Sequence, residues 1–341
     1  TKLIWIDPEN KNVYMTKKFG GTFINWGVPG NQINIFDLKP ISSDDENIKL
    51  YDTETAIYNA IDDIKMILKL YHYNIKESLH EALNEIDPIV VETYKRKGIT
   101  FDLSFKGLPL SSYPTFSDLN CVLLEEMEKS DNKTQKDLLY KLLSAIKPLI
   151  NSHKNYFDGV TTINENNKND ILSFGTKSLK EKDQGLKDSL NYIMFRYAWS
   201  KCLNLNEDTA FVLDEAHEMI LEGVTAKELA SIYRRSRKYN NCAVIGTQEP
   251  RDLSSDVLID GVVMNVHGKS ILNNSTYKII MMLEKAPVES LGEMIALNTN
   301  EMYSILDYVR GEALFICGNK KYEIEVLASE KELKEMDPTR N

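Results

Sequence analysis

The 341-residue sequence lacks any apolar run close to the ~20 residues that a membrane-spanning helix needs, and no secretory signal opens it. It is also poor in metal-binding and disulfide patterns. Its four cysteines (Cys121, Cys202, Cys242 and Cys317) form no CxxC pair, and its five histidines show no metal-ligand spacing. These absences argue against a membrane span, a disulfide framework and a zinc site. They favour reduced thiols in a cytosolic protein.

Positive charge is scarce as well. The net charge is −10 and the isoelectric point is near 5.2, which argues against a generally basic surface for nucleic acid but leaves a local basic patch open. With 42% hydrophobic and 27% charged residues, the composition is that of a soluble globular protein. The length suits one large domain with an insertion, or two domains.

Several catalytic motifs are missing. The pattern GxxxxGK followed by Ser or Thr, which cradles nucleotide phosphates, occurs nowhere in the 341 residues. His217-Glu218 does not extend to the metalloprotease motif HExxH, since position 221 is Leu. Residues 27–30 (GVPG) do not match the GxGxxG motif and are predicted to be a turn. The chain begins with Thr1 and passes at once into the apolar residues 3–6. We therefore expect a piece of a longer polypeptide, with the phosphate loop on residues upstream of this chain.

The pattern of apolar residues predicts an α/β fold. Short extended segments are predicted at residues 3–6, 23–26 and 34–36. A helix is predicted at 185–203, followed by a strand at 210–213, a helix at 225–239 and a strand at 242–246. This alternation is typical of a mainly parallel sheet wound with helices, as in the RecA-like P-loop NTPase core. Residues 313–317 and 322–327 flank Gly318-Asn319 and predict a C-terminal β-hairpin that closes the sheet.

Between these parts the apolar residues recur at helical spacing. Capping-box patterns begin at Thr115 and at Thr134, each ahead of an amphipathic segment. We therefore expect residues 49–154 to form an all-helical insertion subdomain, with residues 1–48 and 155–341 forming the RecA-like core. The polar residues 164–170 are predicted to be a mobile loop.

The most informative segment is a buried strand that ends in Asp214-Glu215. Such a Walker B arrangement places Asp214 beside a nucleotide's Mg²⁺, bound through water, and lets Glu215 orient a water molecule for attack on the γ-phosphate. The alternative is a strand that happens to end in surface acids.

The next strand ends in Thr247-Gln248. Ligands of parallel sheets bind at the carboxyl ends of the strands, so Asp214, Glu215 and Gln248 are predicted to share one crevice. There the neutral amide of Gln248 can sense the γ-phosphate. The alternative is a Gln that only bonds its own loop.

Basic residues, among them Arg234 and Arg237, crowd the end of the helix between these strands. They suit the helix dipole, and they equally suit delivery of an arginine to the γ-phosphate in a neighbouring subunit. A DNA contact is a third, weaker interpretation in so acidic a chain.

In this order the motifs resemble those of the conjugation ATPases of type IV secretion systems, the TrbE and TraC type within the HerA–FtsK group. They run along most of the chain: Asp7-Pro8-Glu9, Gly20-Gly21, 33–37 (INIFD), 114–119 (PTFSDL), 157–161 (FDGVT), 214–217 (DEAH), 235–239 (RSRKY) and Thr247-Gln248. One departure is clear. Residues 10–14 (NKNVY) replace the Glu-Tyr that usually follows Asp-Pro-Glu in the family.

The resemblance implies a hexamer-forming ATPase at the cytoplasmic face of the inner membrane, where it works with other secretion-channel subunits. It would use ATP and Mg²⁺ to energise pilus assembly or the transfer of a DNA or relaxase substrate. Asp7, Glu9, Asp214 and Thr247 would line the nucleotide site. Because the phosphate loop is missing, the chain alone is expected to be inactive.

Three alternatives remain in view. A DEAH-box helicase shares residues 214–217 but would need a Ser-Ala-Thr strand end and a second motor domain, and too little chain remains for one. A coupling protein or DNA pump of the same superfamily is harder to distinguish from a type IV secretion ATPase. The non-enzymatic alternative is an assembly or docking module whose acidic residues are structural.

Overall fold

The computed structural model describes residues 2–41, 50–163, 170–203, 207–216, 223–248, 250, 258–259, 262–263 and 266–336. The described strands are β1 (Lys2–Asp7), β2 (Thr22–Asn25), β3 (Ile171–Gly175), β4 (Thr209–Leu213), β5 (Asn241–Ile245), β6 (Leu258–Ile259), β7 (Val262–Val263), β8 (Tyr277–Ile280), β9 (Glu312–Cys317) and β10 (Lys320–Glu325). The described helices are α1 (Val13–Lys18), α2 (Thr53–Tyr71), α3 (Lys76–Leu83), α4 (Ile86–Arg96), α5 (Phe116–Lys129), α6 (Lys133–Ile150), α7 (Lys154–Phe157), α8 (Gln184–Lys201), α9 (Gly223–Arg235), α10 (Val266–Asn274), α11 (Lys285–Ile295), α12 (Thr299–Asp307) and α13 (Glu330–Met336).

The main sheet has five strands in the order β2-β3-β1-β4-β5. β1 pairs in parallel with β4, and β4 pairs in parallel with β5, so that Ile6, Leu213 and Ile245 lie side by side. In β1 and β4 buried residues alternate with half-buried ones, so one face of these strands is covered more completely than the other. The predicted α/β fold with a mainly parallel sheet is confirmed.

The C-terminal hairpin is confirmed, but its predicted position is wrong. β9 and β10 pair antiparallel around Gly318, which has a φ of +58°. They do not join the main sheet: β8 pairs with β9, making a separate three-stranded sheet in the order β10-β9-β8. The reason is a second core, since Ile280 on β8 and Leu314 and Ile316 on β9 pack with residues of α11 and α12.

The described residues from 50 to 163 contain helices and turns and no strand, as the helical spacing predicts. Helix α5 begins with the predicted capping box, in which Thr115 and Asp118 bond each other's backbone. The capping box predicted at Thr134 is wrong. Helix α6 begins at Lys133, and Asn132 is its cap, accepting hydrogen bonds from the backbone of Thr134 and Gln135. The extended segment predicted at 34–36 is also wrong, because these residues form a turn held by the Asn34 side chain.

Two compact units are present. One comprises residues 1–23, 169–173 and 206–341, and the other comprises 24–168 and 174–205. The dividing line passes through strands β2 and β3. The domain boundaries expected near residues 48 and 155 stay a prediction. None of the described helices has both the length and the apolar composition to cross a membrane.

Candidate nucleotide site at the carboxyl edge of the main sheet

Three parallel strands end side by side at one edge of the main sheet. Asp7, Asp214 and Gly246 each follow the aligned positions Ile6, Leu213 and Ile245. The backbone N–H of Asp214 donates to the carbonyl of Ile6 at 3.0 Å, and that of Gly246 donates to Leu213 at 2.9 Å. The ladder therefore continues into the residues that carry the acidic groups.

Glu215 is the most constrained of these residues. Its φ is +45°, in the left-handed region that residues other than glycine rarely adopt, and it is 7% exposed. The next residue, Ala216, donates its N–H to the carbonyl of Gly246 at 2.8 Å, which anchors the turn to the end of β5. An unusual backbone conformation held in this way is typical of functional sites.

Gln248 reaches across from the end of β5. Its Nε2 donates a hydrogen bond to Oε1 of Glu215 at 2.5 Å. The structure thus brings Glu215 and Gln248 together, as the argument from strand ends predicts. Thr247 lies between Gly246 and Gln248 and is half-buried.

Asp7 lies at the same edge, but its carboxylate is engaged by its own loop. Oδ1 accepts from the backbone N–H of Glu9 at 3.0 Å, and Oδ2 accepts from that of Asn12 at 2.8 Å. Asp7 is 1% exposed, and Asn10 in this loop has a φ of +57°. Asp7 therefore shapes the turn that follows β1, and Glu9 is half-buried within that turn.

This turn delivers a residue that was not among the predicted site residues. Lys11 places Nζ 3.9 Å from Oε1 of Glu215, while its side chain is 64% exposed. Its position follows from the turn after β1, and the only sequence signal was the departure from the family pattern at residues 10–14.

The structure does not bring the two predicted arginines to this edge. Arg234 lies in the last turn of α9 and Arg237 in the 3₁₀ turn Ser236–Tyr239, and both are exposed. Within the described part of the chain neither makes an ion pair or a hydrogen bond. Tyr233 beside them is half-buried, and burial raises the pKa of its phenol well above the usual value. His217 and Glu249, which adjoin the site in sequence, lie outside the described residues.

The donor set fits Mg²⁺ only in company with other ligands. Among the described residues no group of three or more His, Cys, Asp and Glu has the arrangement to hold a metal ion. Mg²⁺ in nucleotide sites uses one or two carboxylates together with water and phosphate oxygens. Asp214 meets that requirement. Its Oδ1 accepts from the N–H of Glu215 at 3.0 Å, and a Cβ added at Gly246 would lie 3.1 Å from the same oxygen. Glycine thus keeps space beside this carboxylate.

Comparison with known proteins supports the fold. No protein-family model matches the sequence, and neither does any curated protein sequence. Among solved structures, VirB4 of Thermoanaerobacter pseudethanolicus superposes with a TM-score of 0.78 at 22% identity, covering 98% of this chain and 83% of that one. The bacterial conjugative coupling protein TrwBΔN70 superposes with a TM-score of 0.56 at 13% identity, covering 96% of this chain and 78% of that one.

At such identities the likeness concerns the fold, and it extends over nearly the whole chain. The resemblance to conjugation ATPases is therefore confirmed at the level of architecture: the chain has the α/β fold of VirB4, shared more distantly with the coupling protein TrwB.

Proposed function

We propose that this chain is the ATP-hydrolysing motor core of a type IV secretion or conjugation system. The observation that carries the proposal is the joining of Glu215 to Gln248 beside Asp214, at the carboxyl edge of three adjacent parallel strands. Open parallel sheets bind nucleotides at this edge. The likeness to VirB4 over 98% of the chain supports the same assignment.

Each group has a distinct task in this proposal. Asp214 would hold Mg²⁺, and Glu215 would orient the attacking water and accept its proton. Gln248 would sense the γ-phosphate, and the loss of this group would move the loop after β5. Bound Mg·ATP supplies the reactive γ-phosphoryl group and the charge that neutralises its oxygens. Glu9 and Thr247 flank the nucleotide, whereas Asp7 contributes by holding the turn that carries Glu9.

The proposal extends to assembly. Exposed Arg234 and Arg237 suit a role across a subunit boundary, in a ring of six copies, where one of them meets the γ-phosphate of a neighbour. The ring would work at the cytoplasmic face of the cell membrane with other secretion-channel subunits. It would energise pilus assembly or the transfer of DNA or a relaxase.

A second candidate is a DNA-translocating coupling protein or pump. The likeness to the coupling protein TrwB, with a TM-score of 0.56, is the observation in its favour. ATP hydrolysis that DNA stimulates many-fold would favour this candidate. Hydrolysis indifferent to DNA would favour the VirB4-like motor.

The function is tested by comparing two polypeptides, the 341-residue chain and a version that also carries a phosphate-binding loop. The chain alone should show no micromolar affinity for Mg·ATP in calorimetry, since its sequence has no GxxxxGK motif to supply phosphate-binding amides and a lysine. The longer version should hydrolyse ATP. If it binds and hydrolyses none, the site acids are structural and the chain is an assembly module.

A further inference from the structure

The segment that departs from the family pattern, residues 10–14, lies at the candidate site. The turn that follows β1 brings Lys11 to this site. Both oxygens of Asp7 accept backbone hydrogen bonds from the turn, and Asn10 bends the chain with its positive φ. The result is a positive charge 3.9 Å from Oε1 of Glu215.

The side chain of Glu215 is buried and that of Lys11 is mostly exposed, so Lys11 has more space to change conformation. Gln248 contacts the same oxygen but is neutral, and it cannot balance the negative charge of the carboxylate. Asp214, the neighbouring residue, adds a second negative charge at the strand end. The exposed ammonium group of Lys11 is thus a cation placed beside a pair of adjacent acidic residues.

We propose that Lys11 is a tethered counter-ion for Glu215, which offsets one of the two negative charges of the resting site and competes with a divalent cation for the carboxylates of Asp214 and Glu215. This inference rests on the proposed function, in which those residues meet Mg²⁺. Lys11 is a positioning residue. It would hold the Glu215 carboxylate while no cation is bound, and its exposure gives it space to move into solvent when a cation binds.

The size of the effect follows from Coulomb's law. Two unit charges about 4 Å apart in water interact by about 1 kcal/mol, which corresponds to about a fivefold change in affinity. Exposed ion pairs reach that value or fall somewhat below it. Removing the charge of Lys11 should therefore tighten divalent-cation binding about two- to fivefold.

The test is titration of the 341-residue chain with Mn²⁺, with free Mn²⁺ measured by electron paramagnetic resonance. Lys11→Met should bind Mn²⁺ about two- to fivefold more tightly than wild type, and Lys11→Glu more tightly still. Lys11→Arg should restore wild-type affinity. Lys18→Met is the matched control, because Nζ of Lys18 lies at the same distance of 3.9 Å from a different carboxylate, that of Glu335. Its affinity should not change.

Asp214→Asn shows which part of the Mn²⁺ binding belongs to this site, since it should weaken that binding in wild type and in each Lys11 variant. If binding depends on Asp214 but is equal in wild type and Lys11→Met, the role of Lys11 is wrong and the metal site stands. If no variant shows binding that depends on Asp214, the inference about Lys11 is wrong, whereas the proposed function is tested separately by ATP hydrolysis in the polypeptide that carries a phosphate-binding loop.

Discussion

Gln248 donates from its side-chain amide to Oε1 of Glu215, so the ends of β4 and β5 are joined through side chains as well as through backbone. A shift of the residues after β5 would therefore be transmitted to the carboxylate that we expect to orient the attacking water. Under the proposed function this hydrogen bond couples hydrolysis to movement.

The first prediction separates the two acids. In a polypeptide that carries a phosphate-binding loop, Glu215→Gln should lower kcat by about 10²–10⁴-fold while Mg·ATP still binds, because the amide keeps the shape but accepts no proton. Asp214→Asn should instead raise the Mg²⁺ concentration needed for half-maximal activity. Steady-state kinetics across a range of Mg²⁺ concentrations, with nucleotide binding measured by calorimetry, checks both.

Equal loss of nucleotide binding in both variants would contradict this division of roles. Glu312→Gln serves as the control, because Glu312 lies on β9 in the separate C-terminal sheet. It should leave both kcat and the Mg²⁺ requirement unchanged.

The second prediction concerns Arg234 and Arg237. If either acts across a subunit boundary, its change to Ala should lower ATP turnover only in the assembled oligomer. Mixing that variant with Glu215→Gln should then restore part of the activity, since some interfaces pair an intact arginine with an intact Glu215. Wild-type turnover for both single variants, with no effect of mixing, would leave the end of α9 with a purely electrostatic role.

The third prediction concerns an ionic cluster around the buried Asp63, in the unit that comprises residues 24–168 and 174–205. Asp63 on α2 lies 3.1 Å from Nζ of Lys39 and 2.7 Å from Nε of Arg196, and it accepts a hydrogen bond from Tyr192. Asp63→Asn leaves two half-buried cations without their counter-charge, so the free energy of unfolding should fall by about 3 kcal/mol, the lower end of the cost of breaking a buried pair. Urea denaturation followed by circular dichroism measures it. The exposed neighbour Asp62, changed to Asn, should cost less than about 0.5 kcal/mol.

The same cluster has a definite pH dependence. Burial raises the pKa of Asp63, but the positive charges of Lys39 and Arg196 outweigh it, so the pKa lies below the usual value of 3.8. A carboxyl whose pKa is lowered in the folded state stabilises the fold above its unfolded pKa, and that contribution is lost as the pH falls through the folded value. The stability difference between wild type and Asp63→Asn should therefore be constant from pH 7 to about pH 5 and should shrink below about pH 4. A difference that grows on acidification would contradict this account.

The fourth prediction uses the thiols as probes of packing. Burial raises the pKa of Cys202 to about 12, whereas Cys121 and Cys242 are exposed. Since the thiolate is the reactive form, Cys121 and Cys242 should react with a thiol reagent at pH 8 and Cys202 only after denaturation. Mass spectrometry of the labelled peptides checks this. Rapid labelling of Cys202 in the native protein would show that α8 ends differently.

Much of the fold was predictable from local patterns. The strands that end at Asp214 and just before Gln248 are recognisable from short apolar runs, and parallel pairing then places their ends together. The capping box at Thr115 needs only residues three apart. The start of α6 shows the limit of such signals, because Asn132 and Thr134 are both plausible caps and the structure uses Asn132.

The sequence by itself determined the α/β class, the helical segment, and the strands that carry Asp214, Glu215 and Gln248, because these depend on patterns within a few residues. The tertiary structure decided what depends on residues far apart. It paired β9 with β8 and so kept the hairpin out of the main sheet. The burial of Ile280 on β8 and Leu314 on β9 stabilises this pairing. It also engaged the Asp7 carboxylate within its own turn and so placed Lys11 beside Glu215, a contact over more than 200 residues of chain that no local pattern encodes.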